Sequence, residues 1–215
     1  MRIPPLILLL MLDGLLSLHG EKTLPTNSPD QKNACLSNLS PVITKAKAFN
    51  PILPGFHPDP SICRVGDDYF LATSSFEYFP GVPIFQSKDL IHWKTVGHAL
   101  QRKDQLDLTH ARCDGGIFAP TLRFHNGTFY MVTTLTSPVT GSANQKGDFI
   151  VTATNPAGPW STPHWIDKAK GIDPSLFFDD DGCVYMCGNM KPENLLNEKH
   201  RVIWIQRLNL TTWQL

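Results

Sequence analysis

Three stretches of the sequence align without a gap over 17 residues: DPSICRVGDDYFLATSS (59–75), APTLRFHNGTFYMVTTL (119–135) and DPSLFFDDDGCVYMCGN (173–189). Each opens with Asp-Pro or Ala-Pro and then Ser or Thr, runs through a short apolar strand, turns, and returns as a second strand rich in aromatic and β-branched residues. The turn of the second copy is Asn126-Gly127. Both residue types tolerate positive φ, so this pair between apolar runs marks a hairpin. A second element recurs in step: FQSKDLIHWK (85–94), TATNPAGPWS (152–161) and IQRLNLTTWQ (205–214) carry Trp93, Trp160 and Trp213 at the same place. The copies begin at residues 59, 119 and 173. A hairpin, a turn and a further strand repeating at that period predict four-stranded blades arranged about an axis, an all-β propeller. Generic hairpins packed as a sandwich are the competing arrangement, but they do not require both elements to repeat together. The three tryptophans read as packing between blades.

The bulk composition suits this reading. Of 215 residues, 41% are hydrophobic and 18% charged, which is enough for a core. Lys+Arg and Asp+Glu both total 19, so no net field gathers nucleic acid or anionic lipid, and a neutral polysaccharide fits the balance. Residues 1–20 read as an export signal: Arg2 is followed by the apolar run Leu6 to Leu12, too short to span a bilayer. Residues 21–47 form a polar linker or arm without a period, and 48–215 carry the partial propeller. The expected location is therefore extracellular, by secretion, with no membrane attachment once the signal is removed. Sequons at Asn38, Asn126 and Asn209 agree with that compartment. Five cysteines leave at least one unpaired. Cys183 and Cys187, about 13 Å apart if they share a strand, are too distant to bridge each other. A Cys35–Cys113 bridge is open.

Asp59 and Asp173 hold the same repeat position, which Ala119 fills in the second copy. On the innermost strands of a propeller, equivalent positions crowd around the axis, so the two acids would face one cavity. Glycoside hydrolysis uses such a pair, one carboxyl to protonate the leaving oxygen and the other to activate water or attack the sugar. The alternative is that Asp before Pro starts a strand through a local turn. No metal or cofactor is expected. Asp179-Asp180-Asp181-Gly182 lacks the alternating spacing and distal Glu of a calcium loop and sits on a hairpin tip, and the eight histidines show no paired ligand spacing.

The motif NPILPGFHPDPSI (50–62), followed by DDYFLATSSFEYFPGVPIFQSKDLIHW (67–93), GGIFAPTLRFHNGTFY (115–130) and GIDPSLFFDDDG (171–182), resembles glycoside hydrolase family 43. Its members are five-bladed β-propeller β-xylosidases and α-L-arabinofuranosidases, and the likeness runs from about residue 50 to the end of the chain. The resemblance implies an inverting hydrolase acting on xylan- or arabinoxylan-type oligosaccharides. Asp59 matches the general base, and Asp173 matches the acid that tunes the pKa of the proton donor and orients the substrate. Inversion needs carboxyls about 6.5–9.5 Å apart, with room for a water. Phe76 and Phe118 stand where the family places aromatic walls of the sugar site, with Phe118 at a position where Trp is common. His57 precedes the base and is a candidate lining residue, or a partner within its own turn.

The family's proton donor is a Glu in an EGPH-like motif, and none of Glu21, Glu77, Glu193 and Glu198 has that context. At the observed period the chain holds about three blades of five; a full ring needs on the order of 280 residues. The expectation is a truncated product, weakly active or inactive alone. The alternative is a catalytically inactive propeller piece that retains carbohydrate binding.

Overall fold

The first repeat folds as β1 (Ser61–Val65) and β2 (Asp68–Ala72), joined by Gly66-Asp67, and β3 (Gly81–Ser87) and β4 (Lys94–Leu100) follow. These four strands form one antiparallel sheet in sequence order. The second repeat gives β5 (Thr121–His125), β6 (Thr128–Leu135), β7 (Gly147–Ala153) and the short β8 (His164–Trp165), again in order. Its first turn is Asn126-Gly127, with φ of 47° and 75° and His125 paired to Thr128 across it. Two successive left-handed residues twist a two-residue loop to match the flanking strands. The third repeat gives β9 (Ile172–Phe178), β10 (Val184–Met190) and β11 (Val202–Arg207), a three-stranded sheet.

This computed structural model describes residues 47–109, 111–136 and 146–215. The export signal, nearly all of the polar arm, the Asn38 sequon and Cys35 lie outside the described residues. Cys63, Cys113, Cys183 and Cys187 are free thiols. Among the described residues there is no helix.

The second sheet lies between the other two, and its strands alternate between two cores. Phe129 and Met131 on β6, with Phe149 and Val151 on β7, join Phe70, Val82, Ile84 and Leu122 in the core shared with the first sheet. Their neighbours Val132 and Ile150 face the other way, onto Leu176, Met186 and Leu208 of the third repeat. Successive strand residues point to opposite faces, so a strand buried on both sides reads as an unbroken apolar run. Phe129 to Val132, in the middle of β6, is such a run.

The innermost strands stand side by side: β5 packs against β1 on one flank and β9 on the other. Polar ties hold them in step. The Leu122 amide donates to Ser61 Oγ (3.0 Å). On the other flank Thr121 Oγ1 donates to the Pro174 carbonyl (2.8 Å) and Arg123 Nε to the Leu176 carbonyl (3.1 Å). Arg123 Nη2 also donates to Ser175 Oγ (3.0 Å). The far face of the third sheet carries Phe177, Ile203 and Ile205, all exposed.

Two of the three tryptophans pack between sheets. Trp160 is 1% exposed in the first core, with its carbonyl accepting from Arg102 and Gln105. Trp213 joins the second core and stacks on His164 at 4.0 Å. Trp93 does not: it is half-buried in neither core, and its indole N–H donates to Leu90 in its own turn (3.1 Å). Its turn joins β3 to β4 of the first sheet.

Trp160→Ala should therefore lower the stability of the chain by about 3–5 kcal/mol in urea unfolding, through loss of a fully buried ring. Trp93→Ala should cost far less than half of that in the same measurement.

Candidate functional site

Asp59 lies two residues ahead of β1, and Asp173 is the second residue of β9. Both have left-handed backbones, with φ of 53° and 57°. Ala119, their counterpart in the second repeat, does not share it. Left-handed non-glycine residues are uncommon, and Asp is among the types that tolerate the conformation. The two acids thus share an unusual backbone as well as a repeat position. The ties among β1, β5 and β9 bring them to corresponding ends of inner strands, with Ala119 two residues ahead of the strand between.

Each carboxylate is held by one donor of its own repeat, Ser74 two residues past the end of β2 and Asn189 on β10. Ser74 Oγ donates to Asp59 Oδ2 at 2.5 Å, and the Ser74 amide binds the Pro58 carbonyl at 3.0 Å. In the third sheet Asn189 Nδ2 donates to Asp173 Oδ2 at 2.8 Å. Asn189 sits one position further along its repeat than Ser74. An irregularity in the pairing of β9 with β10, between Cys187 and Asn189, takes up the difference. Gly171 makes room for this approach: with φ of 92°, a Cβ there would lie 1.8 Å from the Asn189 carbonyl oxygen.

Phe76 and Phe118 are brought together, with ring centroids 5.4 Å apart. Phe76 exchanges backbone hydrogen bonds with Ile117 (2.9 and 3.0 Å), and the Phe118 amide donates to the Thr134 carbonyl (3.0 Å). Gly116 allows the crossing, since a Cβ at that residue would lie 2.3 Å from the Phe76 carbonyl oxygen. Exposed Phe56 and Tyr78 extend the aromatic surface, Phe56 at 5.9 Å from Phe76 and Tyr78 at 6.2 Å from Phe56. His57 is placed differently. Its ring meets Phe85 of β3 edge-on at 5.1 Å, and its Nδ1 is buried without a hydrogen-bond partner.

Asp148, on β7, is a carboxyl that the repeat pattern does not single out. It is 2% exposed, and its Oδ1 accepts from Thr134 Oγ1 at 2.7 Å. Its Oδ2 has no hydrogen-bond partner among the described residues. Burial pushes the carboxyl up to about 6; the Thr134 hydroxyl pulls it back in part, and the negative charge of Asp173 raises it further. Among the described residues no group of three or more His, Cys, Asp or Glu side chains is arranged to hold a metal ion.

The model of the glycosyl hydrolases family 43 matches residues 48–215. The chain belongs to this family. It is 52% identical over 171 residues to a xylosidase/arabinosidase of Butyrivibrio fibrisolvens, covering 78% of this chain and 32% of that protein. It is 51% identical over 146 residues to a non-reducing end α-L-arabinofuranosidase of Bacteroides ovatus, covering 67% of this chain and 26% of that one. Among solved structures, the xylan β-1,4-xylosidase of Bacillus halodurans superposes with a TM-score of 0.71 at 45% identity, over 78% of this chain and 32% of that chain. The chain spans between a quarter and a third of the length of these relatives. Its three sheets are thus part of the propeller of family 43 enzymes, as the sequence repeats predict.

An acid whose value is raised on folding destabilises the fold wherever it is ionised. The cost is absent below about pH 4, grows as pH rises, and is complete above about pH 6, where it amounts to about 3 kcal/mol. Urea unfolding at pH 4 and pH 7 should show the wild type losing stability across that interval. Asp148→Asn, which mimics the protonated acid, should flatten the dependence; an equally steep variant would show that another group is responsible.

Proposed function

We propose that residues 48–215 form the front part of an inverting glycoside hydrolase domain that cleaves xylose- or arabinose-containing plant oligosaccharides. Asp59 acts as general base on the attacking water, and Asp173 biases the proton donor and orients the sugar. The observation that carries this reading is the pairing of Asp59 with Asp173: same repeat position, same left-handed backbone, and each carboxylate anchored by one neutral donor. Neutral donors steady a carboxylate without cancelling its charge, which suits a base that must accept a proton. The adjoining, tilted rings of Phe76 and Phe118 supply an apolar surface of the kind that packs on the C–H face of a sugar. The names of the relatives, xylosidase/arabinosidase and α-L-arabinofuranosidase, support the substrate class. Export of the enzyme would bring it to a polymer outside the cell.

No glutamate of this chain is assigned the proton donor. Glu77 lies beside Cys113, whose Sγ is 3.8 Å from its carboxylate, and Glu193 and Glu198 fall between β10 and β11. This favours a second reading for the chain by itself: it binds sugar through the aromatic wall but cleaves slowly or not at all.

A chimera tests both readings. Residues 48–215 would replace the matching third of the Bacillus halodurans xylosidase, and hydrolysis of aryl β-xyloside and aryl α-L-arabinofuranoside would be followed. Asp59→Asn should lower kcat by about 10²–10⁴-fold with little change in binding, and the first product seen by NMR should have the inverted anomeric configuration. Full activity in Asp59→Asn, or a product of retained configuration, would remove the assignment. For the isolated chain, xylobiose should perturb the resonances of Phe76 and Phe118, and Phe76→Ala should abolish the effect.

A further inference from the structure

The aromatic surface does not end at Phe76 and Phe118. Phe56 lies 5.9 Å from Phe76 with its ring tilted by 44°, and Tyr78 meets Phe56 edge-on at 6.2 Å. The row begins beside the carboxylates: Phe118 immediately precedes Ala119, and Ser74, two residues before Phe76, holds Asp59. Exposure grows along it. Phe76 and Phe118 are half-buried, whereas Phe56 and Tyr78 are 63% and 62% exposed and join neither core. Large rings left in water next to a candidate site mark a surface that something covers.

Both outer rings stand on fixed backbone. His57, directly after Phe56, is turned onto Phe85 of β3, and the Pro58 carbonyl that follows accepts from the Ser74 amide (3.0 Å). The Tyr78 amide donates to the Ser75 carbonyl (2.9 Å), and Ser75 Oγ accepts from the Val82 amide (3.0 Å), which ties the turn between β2 and β3. Rings held in this way lose little freedom when a ligand settles on them. Polar groups lie in the same turn. Glu77 stands between Phe76 and Tyr78, and with Phe79 it borders a cavity of about 260 Å³ that Lys103, Asp107 and Thr109 also line. Apolar ring faces close to both donors and acceptors suit a ligand that has a C–H face and a rim of hydroxyls.

We propose that Phe56 and Tyr78 form an outer sugar subsite, which takes the next unit of a pentose oligosaccharide whose other units occupy the site beside Asp59, Phe76 and Phe118. Successive rings of the row are 5.4, 5.9 and 6.2 Å apart, comparable with the advance of one sugar unit along a chain. The surface therefore favours chains of three sugars over two. This rests on the reading of Phe76 and Phe118 as the apolar surface of a sugar site, and deepens it by making chain length the property selected.

The test is a titration of the full 215-residue chain with the di- and trisaccharides of β-1,4-xylan and of α-1,5-arabinan, followed by NMR of the aromatic side chains. In at least one series the trisaccharide should bind about 5–10-fold more tightly than the disaccharide, and it should shift the ring resonances of Phe56 and Tyr78. Phe56→Ala combined with Tyr78→Ala should remove the gain, so that the two lengths bind alike. Tyr78→Phe should keep it, because the ring face and not the hydroxyl makes the contact. Equal affinity for both lengths in both series, or a gain that survives the double substitution, overturns the proposal. So do outer-ring resonances that move with protein concentration alone, which would make the patch a contact between copies of the chain. If the doubly substituted chain does not fold, the outer-ring shifts in the wild type decide the matter. Shifts at Phe56 and Tyr78 with no hydrolysis by the chimera would sink the proposed function and leave the subsite standing. Hydrolysis by the chimera with outer rings that no trisaccharide shifts would do the reverse.

Discussion

The position of β5 between β1 and β9 governs everything at the candidate site. No backbone ladder joins these three strands, because each belongs to a separate sheet. They are kept in step by side chains that reach across: Ser61 to the Leu122 amide, Thr121 to the Pro174 carbonyl, and Arg123 to Leu176 and Ser175. The dry cores on either face of the second sheet press the strands together but do not set their register, since apolar contact is non-directional. The short polar bonds set it. Asp59 and Asp173 come to the same end of the assembly because the residues just after them are tied to opposite flanks of one strand.

At that end the chain combines rigid backbone with exposed charge. Each aspartate sits in a conformation that the surrounding structure must impose, and each is anchored by one short neutral hydrogen bond. The aromatic wall is assembled in a similar way, by a close backbone crossing that requires glycine at residue 116. Conformational strain of this sort persists only where neighbouring contacts outweigh it, and it gathers at functional sites. Phe76, with φ of 48°, is a further instance on the wall itself.

Much of this was legible in the sequence because the fold is a repetition, and repetition makes equivalent residues visible. The aligned Asp-Pro and Ala-Pro openings locate the inner strands, and Asn126-Gly127 marks a hairpin on local grounds alone. Asp148 was not legible, because its neighbours GDFIVTA read as a buried strand and nothing local says that the Thr134 hydroxyl would lie opposite. Its character comes from being sandwiched between sheets, which is a long-range outcome. Trp160 and Trp213 each pack against the sheet that precedes their own, whereas Trp93 belongs to the first sheet, which no other sheet precedes among the described residues. The Asn189 anchor was hidden by the irregular pairing in the third sheet, which moves the donor one residue off the position held by Ser74. His57, beside Asp59 in sequence, is turned onto Phe85 by the path of the chain ahead of β1.

The ordinary backbone at Ala119 has a consequence for how such a site can change over evolutionary time. In the second blade the acid and the left-handed geometry are both absent. An aspartate placed at residue 119 would therefore project differently from Asp59 and Asp173. Replacement of Asp59 or Asp173 is constrained in its own way, because Asn and Gly tolerate the left-handed geometry far better than Ala.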